Sequence, residues 1–583
     1  MNEPPKNRWT RSLSNRRSIL FLFLAVAGTT FCGILILGAV PGQTGRWLDR
    51  FAIAFFVAVG IGMVAVLGYL FLRWFCVWRN LRRLLFVLAC LATLLALLIT
   101  EENWRGRRAW ENHQQMMTNR GEKFRLQDLA PPPVPDDRNF ALTPLLKPIF
   151  DFSYNPQGGA VWRDTNAYAR IANLRADLGL GSCTNQPSNG DLTKGTFTDL
   201  QSWQAFYRGN TNYPQPARPG APGADILTAL GKFDGEIKEL QEAAISRPEA
   251  RFPIQYDTDP LVMILLPHLA QMRGIMPLFN LRARAELDLG RTDDALTDLK
   301  VALRLGDALK DEPILISHLV RLAILNINLQ TVREGLVRHA WTDAQLSEMD
   351  QYLASLNLLA EWKHTMHGER IFSTSSVDYM RRMGIVNPET FRSGPWWVRK
   401  TMSVALGGLY YQNMLTLSEM NEEYILPAVD ENARRVFPEK CAAAEKEFDR
   451  IHAHPIRHPG SILATMFLPA IPKSSSRTAR MQSGVDEARI AIALERYRLT
   501  NNHLPDSLDQ LVPQFIDKIP HDVMDGQPLR YRKTGDDTFI LYSIGWNLKD
   551  DDGVIGRKPE GKGIDPLSGD WVWFSTTNVF KLE

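Results

Sequence analysis

Three uncharged apolar runs in the first hundred residues constrain this chain more than anything that follows them. Residues 18–45 hold no charged side chain, and neither do residues 51–72 or 84–100. At ~1.5 Å of rise per residue, about 20 apolar residues match a hydrocarbon core ~30 Å thick. The pattern predicts membrane-spanning helices at about 18–40, 51–72 and 84–100, the last near the lower limit of length. A cleaved leader fits the first run poorly: the run is long, lacks an A-x-A-like site and is followed by two more.

Charge sets the expected orientation. The first 100 residues carry 11 Lys and Arg against two acids, a sum of +9, so within a total of +3 the remainder sums to −6. A nucleic-acid-binding protein shows the reverse, a basic body. Lys6, Arg8, Arg11, Arg16 and Arg17 precede the first run, and Arg73, Arg79, Arg82 and Arg83 lie between the second and third. The first loop has only Arg46 and Arg50, offset by Asp49. The positive-inside rule then places the N-terminus and second loop in the cytoplasm and everything after about residue 100 outside it. Arg105, Arg107 and Arg108 run against this orientation, partly balanced by Glu101 and Glu102. Trp74, Trp78 and Trp104 suit headgroup depth, and Gly60, Gly62 and Gly68 suit close helix packing. Of five cysteines, Cys32 and Cys90 fall within spans and Cys76 in a loop. Cys183 and Cys441 belong to the body, where an oxidising compartment would permit pairing; their geometry stays open.

Beyond the head, residues 101–135 read as a helical stalk ending in Ala130-Pro131-Pro132-Pro133-Val134-Pro135, a stiff linker because proline fixes φ. Residues 136–223 are loop-rich, with short helices expected near 164–178 and 199–207. Trp162, Trp203, Tyr207 and Tyr213 there suit either a carbohydrate platform or packing onto helices, and packing is the commoner use of large aromatics. From 224 to 473 the apolar period is helical, beginning with Leu227, Leu230, Phe233, Ile237 and Leu240. Leu281, Ala285 and Leu289, the turn Gly290-Arg291-Thr292-Asp293, then Ala295, Leu299, Ala302 and Leu303 resemble one tetratricopeptide repeat. Gly290 is placed to end the first helix, and Thr292 or Asp293 to cap the second. No second copy recurs at fixed spacing, and a solenoid needs about three. Further helices are expected over 313–337, 342–359, 360–383 and 398–420.

Chemistry-bearing motifs are sparse. His364, His367 and Glu369 form H-x-x-H-x-E, but a helix turns Glu369 away from the two histidines. His452, His454 and His458 are broken by Pro455 and lie beside Arg457. Both clusters read more naturally as surface or structural histidines than as metal ligands. Gly181-Ser182-Cys183 lacks the glycines of a nucleophile elbow, and neither H-E-x-x-H nor a phosphate loop occurs. No residue stands out as catalytic.

The C-terminal segment is more informative. Val485, Ala488, Ile492 and Leu499 make a helical stripe beside Ile490, Leu494 and Tyr497. Ser507-Leu508-Asp509-Gln510 has the spacing of a capping box opening a short helix. Strand-like runs follow at 529–532, 538–542 and 571–575, an α+β arrangement. The segments Ala493-Leu494-Glu495-Arg496-Tyr497-Arg498, Asn502 with Leu504-Pro505, Ile519-Pro520-His521-Asp522, Gly526-Gln527-Pro528-Leu529-Arg530-Tyr531 and Tyr542-Ser543-Ile544-Gly545-Trp546-Asn547 occur in that order. Together they resemble the globular end of the major pseudopilin of type II secretion systems, over about residues 484–575. That family has an A-L-x-x-Y-R helix, a D-N-G-x-Y-P turn, a P-x-D-P-W-G-x-P-Y-x-Y strand and an S-x-G-x-x-G-x-D acidic loop. Asn502 replaces the usual glycine, Leu504 the tyrosine, and Val523-Met524-Asp525 the proline-aromatic pair.

The resemblance implies calcium at Asp550, Asp551 and Asp552, with Asp565 or Asp570 closing from the far side. Calcium takes six to eight oxygen ligands, which such a loop supplies chemically, although no Glu falls where an EF-hand requires it. The plain alternative is a solvated acidic turn. Pseudopilins carry one hydrophobic helix, whereas three apolar runs and almost 400 residues precede this module. The chain is therefore not expected to be an ordinary pilus subunit. Its layout resembles uncharacterised bacterial membrane proteins that append this module to a helical domain.

The expected fold is a mainly α membrane protein with three parts. Three N-terminal transmembrane helices (1–100) lead through the stalk and linker (101–135) and the loop-rich segment (136–223) to a helical extracytoplasmic domain (224–473) with one tetratricopeptide-like pair. A small pseudopilin-like α+β module (474–583) closes the chain. The expected function is that of a binding or scaffolding protein in a bacterial inner membrane, associated with an envelope or type II secretion-like assembly. Its partners are the lipid bilayer and envelope or secretion proteins, not nucleic acid. An extracytoplasmic hydrolase with its site in the helical domain, or a tetratricopeptide-like peptide adaptor, are the alternatives. A pocket of converging titratable groups would favour the hydrolase; a concave stack of three hairpins would favour the adaptor. Protease added to intact spheroplasts should digest the body while sparing the N-terminus. Protection of the body until lysis would reverse the orientation.

Overall fold

Side-chain character and burial, rather than length, separate the helices of the head from those of the body. The computed structural model describes residues 16–37, 47–75, 78–154, 160–177, 187–384, 396–453, 461, 463, 467, 471–559 and 563–575. The chain divides into two compact units, Met1–Glu101 and Glu102–Glu583.

The first unit is built from α1 (Arg16–Leu37), α2 (Trp47–Phe75) and the start of α3 (Trp78–Asn119). These segments are apolar on every face, the signature of a helix surrounded by hydrocarbon rather than by a one-sided core. Phe86, Leu91, Leu94, Leu95 and Leu98 are all more than half exposed, a surface that water would not tolerate over such an extent. On the α1–α2 contact the rings of Phe31 and Phe51 meet edge-on at 4.9 Å. A Cβ at Gly62 would stand 2.9 Å from the Phe23 ring, so glycine permits this approach; Gly60 and Gly68 have nothing nearby.

Three helical segments are long and apolar enough to cross a membrane: Ala54–Leu72, Trp78–Asn119 and Leu315–Val337. The apolar part of α1, Ile19–Ile34, is shorter. Leu315–Val337 belongs to the second unit, where 67% of its apolar window is buried inside the protein. It carries the buried charges Arg321, Arg333 and Glu334, so its apolarity serves a protein core.

The second unit continues with β1 (Phe152–Tyr154), β2 (Ala160–Trp162), α4 (Thr165–Asp177), β3 (Asn189–Asp191), β4 (Thr196–Thr198), α5 (Leu200–Arg208), α6 (Pro222–Leu230) and α7 (Asp234–Ser246). Then come α8 (Pro267–Asp288), α9 (Thr292–Asp307), α10 (Leu315–Val337), α11 (Asp343–Ala354) and α12 (Leu358–Met383). After α13 (Trp396–Ala405) and α14 (Gly407–Met420) follow a π-helical turn at Asn421–Ile425, β5 (Val429–Asp430), β6 (Arg435–Val436), α15 (Pro438–Ala453) and the long α16 (Ile471–Asn501). The chain ends in β7 (Arg530–Lys533), β8 (Phe539–Ser543), β9 (Ile555–Arg557), β10 (Ile564–Gly569) and β11 (Trp571–Phe574). Strands β7, β8 and β11 form an antiparallel sheet in the order β11-β8-β7, with Leu541 opposite both Tyr531 and Trp573.

One buried cluster joins the helical part to this sheet. Leu299 of α9, Leu325 and Leu329 of α10, Leu346 and Met349 of α11, Ile490 and Leu494 of α16, and Leu541 and Trp573 of the sheet share it. The first half of α16 is equally enclosed but polar. Ser474 accepts from the indole of Trp362 (2.8 Å), Thr478 meets His318 (3.0 Å), Gln482 accepts from the Leu358 backbone (2.9 Å), and Asp486 takes Arg434 (2.9 Å). These four groups each exchange water for a partner from another element, which is the condition for burying them; the buried Ser483 hydroxyl has none among the described residues.

Several expectations are refined by the structure. α16 begins at Ile471, well before the apolar stripe at Val485. Gly290 adopts φ +72 and ends α8, but Thr292 is already helical in α9 and no side chain caps that helix. The expected capping box at Ser507 does not form: Leu508–Leu511 is a 3-10 turn without a side-chain cap, and Gln510 instead accepts from the Asp506 backbone. The hairpins β1–β2, β3–β4, β5–β6 and β9–β10 were not expected. Trp203, Tyr207 and Tyr213 are buried among α5–α8, and Trp162 stacks on Tyr168 at 4.1 Å, so these aromatics pack the fold.

Leu494→Ala removes a fully buried side chain from the shared cluster. It should cost about 2–5 kcal/mol, and calorimetry should show the helical part and the sheet still unfolding together, at a lower temperature.

Candidate functional site

Five residues of α16 point their chemistry along one helical face: Arg477, Arg480, Met481, Gly484 and Glu487, at steps of three and four. They line a cavity of about 370 Å³ whose other walls are α10, the turn after β3, the start of β9, and β11. Leu319, Leu322, Ala323, Ile555, Val572 and the two indoles of Trp571 and Trp573 make it largely apolar. Thr193, Asn326 and Asp570 add polar atoms.

The charges in this wall differ from the fully buried arginines of this protein. Other buried arginines are tied down: Arg321 by Asp307 and Glu361, Arg284 by Thr331, Thr198 and the Asn189 carbonyl, Arg333 by the Phe574 and Gly195 carbonyls. Arg477 and Arg480, by contrast, have no hydrogen bond or ion pair among the described residues. Arg477 is exposed and Arg480 half-buried. Burial lowers the pKa of the Arg480 guanidinium, and Glu487 supplies the main opposing pull. Glu487 is itself buried, and its Oε1 has no hydrogen-bond partner. Burial first, and the nearby Asp522 carboxylate second, push the Glu487 carboxyl well above the ordinary range, favouring the neutral acid.

Asp522 is the better-supported acid of the two. Its oxygens accept from the Met524 and Ile544 backbones and from the Ser543 hydroxyl at 2.8–3.0 Å, with Arg530 at 3.3 Å. Burial still raises its pKa, against these donors. Asp570, at the cavity wall, accepts from the backbones of Gly553 (2.7 Å) and Asp551 (3.2 Å), and burial raises its pKa too.

The aspartates expected to hold calcium are engaged by the protein's own donors. Asp550 accepts from the Tyr542 hydroxyl (2.9 Å) and the Asp552 backbone, and Asp551 from the Asn547 amide (2.9 Å). Asp565 accepts from the Leu567 backbone and the Ser568 hydroxyl within its own turn. Asp552 lies 3.7 Å from Arg532. Asp550, Asp551, Asp552, Asp565 and Asp570 do not bring three carboxylate oxygens into one coordination sphere, so the side chains alone do not fit a calcium cage.

Among the described residues, one group does converge like metal ligands: Glu122, His367 and Glu422. Its centre is already cationic. Arg370 donates to Glu122 at 2.8 Å and to Glu422 at 2.7 Å, while His367 lies 3.0 Å from Glu122. The guanidinium does what a metal would do, and the arrangement is a buried ion-pair network. Of the histidine motif, His364 is partly buried apart from this group, and Glu369 accepts from the Leu315 backbone instead. His454, His458 and Cys183 lie outside the described residues; Cys441 is buried 3.2 Å from the Ser475 hydroxyl.

No family model, curated protein or solved structure matches this chain. The cavity must therefore be read from its own chemistry. Sequence reasoning missed it because residues 473–484 look like a polar linker, although R-x-x-R-M-x-x-G-x-x-E is a one-face helical spacing.

A carboxyl whose pKa is raised on folding destabilises the native state as pH climbs above its unfolded value, near 4.5. Glu487→Gln, which keeps the neutral form at every pH, should raise the melting temperature by a few °C at pH 8 and by nothing near pH 4.5. A less stable variant at pH 8 would mean that Glu487 is ionised and paired.

Proposed function

We propose that this chain is a membrane-anchored, extracytoplasmic binding protein of the bacterial inner membrane, with its ligand site in the cavity between α16, α10 and β11. The observation that carries this reading is the half-buried Arg480, without a hydrogen bond or ion pair among the described residues, beside the exposed Arg477 in a largely apolar cavity wall. Leaving a half-buried guanidinium without an anion costs stability, and an evolved fold tolerates that cost where a ligand or partner supplies the missing charge. The N-terminal apolar helices tether the site to a bilayer, and the cationic loops favour a body outside the cytoplasm.

The pseudopilin resemblance supports a place near an envelope or type II secretion-like assembly, in a scaffolding rather than a polymerising role. A filament subunit needs a free helix to pack against its neighbours, whereas α16 is enclosed by α10, α11 and α12 and by the sheet. A hydrolase with Glu487 as general acid is the second reading, favoured by its raised pKa. It lacks a poised base, since Asp570 is held by two backbone amides.

A Cβ at Gly484 would touch only Leu329, at 3.8 Å, so a larger side chain there has room to grow into the cavity. Protein extracted from its native membrane in polymer discs should carry a small-molecule adduct in native mass spectrometry. Gly484→Leu should lose the adduct without losing melting temperature. An adduct retained by the variant, or none in either protein, would contradict a ligand cavity.

A further inference from the structure

The ligand's chemical class follows from the same wall, and this inference rests on the cavity being a ligand site. Arg477, Arg480 and Asn326 all lack side-chain partners among the described residues, and all three offer N–H donors to the cavity. The carboxyls in the same wall are Asp570, committed to the Asp551 and Gly553 amides, and Glu487, whose Oε1 is buried without a partner among the described residues. The remaining wall is aliphatic or indole. Two guanidinium groups thus stand in a wall whose own carboxyls are those of Asp570 and Glu487.

We propose that the cavity takes a monoanionic amphiphilic acid, its carboxylate held by Arg480 and Arg477 and its apolar body against Trp571, Trp573 and Leu322. A planar carboxylate matches the guanidinium fork, where a phosphate dianion would bring a second negative charge into a wall that already holds Asp570. The volume of about 370 Å³, at roughly 30 Å³ per water-sized atom group, sets a body of about a dozen non-hydrogen atoms.

The test uses the full chain in lipid nanodiscs, titrated by calorimetry with 4-phenylbutyrate, 4-phenylbutanol and 4-phenylbutyl phosphate. The carboxylate should bind most tightly. Arg480→Gln should weaken it tenfold or more, as expected for a lost charge-assisted contact, and Arg480→Lys should recover part of the loss. Because Arg480 has no hydrogen bond or ion pair among the described residues, Arg480→Gln should not lower the melting temperature, which separates a binding role from a structural one. Alcohol and acid binding equally, with Arg480→Gln indifferent to both, would overturn the acid class while leaving an apolar ligand cavity. Phosphate binding more tightly than carboxylate would overturn the monoanion. Heat from none of the three would overturn the acid class and count against the cavity as a ligand site.

Discussion

The burial of α16 is the constraint on which the rest of the second unit depends. Its second half is apolar and fills the cluster shared by α9, α10, α11 and the sheet. Its first half is small and polar, and is admitted to the interior because Trp362, His318, Arg434 and the Leu358 backbone supply partners. Withdrawing α16 would expose the apolar face of the sheet and orphan each of those groups, at a desolvation cost of about 1–3 kcal/mol apiece. The sheet and the helices consequently behave as one structure, although a resemblance confined to residues 484–575 suggested an appended module.

That interlock explains which parts were legible in the sequence. The apolar runs of the head, the helices near 313–337, 342–359 and 360–383, and the three sheet strands all carry their own period. The helical pattern of α16 was visible only from Val485 onward. Residues 473–484 have no apolar stripe because their burial is secured by hydrogen bonds to residues more than a hundred positions away, such as Trp362 and Leu358. A local pattern cannot encode a partner of that kind. For the same reason Glu122 and Glu422 were not associated with His367, and Arg480 and Glu487 were not placed together with Trp571. Leu315–Val337 shows the converse, an apolar helix that composition alone would assign to a bilayer, yet buried with Arg321, Arg333 and Glu334 in the body.

The cavity is a consequence of the same packing. Where α16 leaves α10 and meets β11, its polar face is no longer answered by neighbouring side chains, and Arg477, Arg480 and Glu487 remain. Elsewhere several buried charges are neutralised internally: Arg321 between Asp307 and Glu361, Arg370 between Glu122 and Glu422. The departure from that habit marks the site, more than its shape does.

The central claim is that α16 belongs equally to the helices and to the sheet. Hydrogen–deuterium exchange of the intact protein, followed peptide by peptide, measures this directly. Amides of residues 474–495 should exchange as slowly as those of α10 and in the same cooperative opening as β8. Exchange of α16 with the sheet alone, in an opening that leaves α10 protected, would contradict the account.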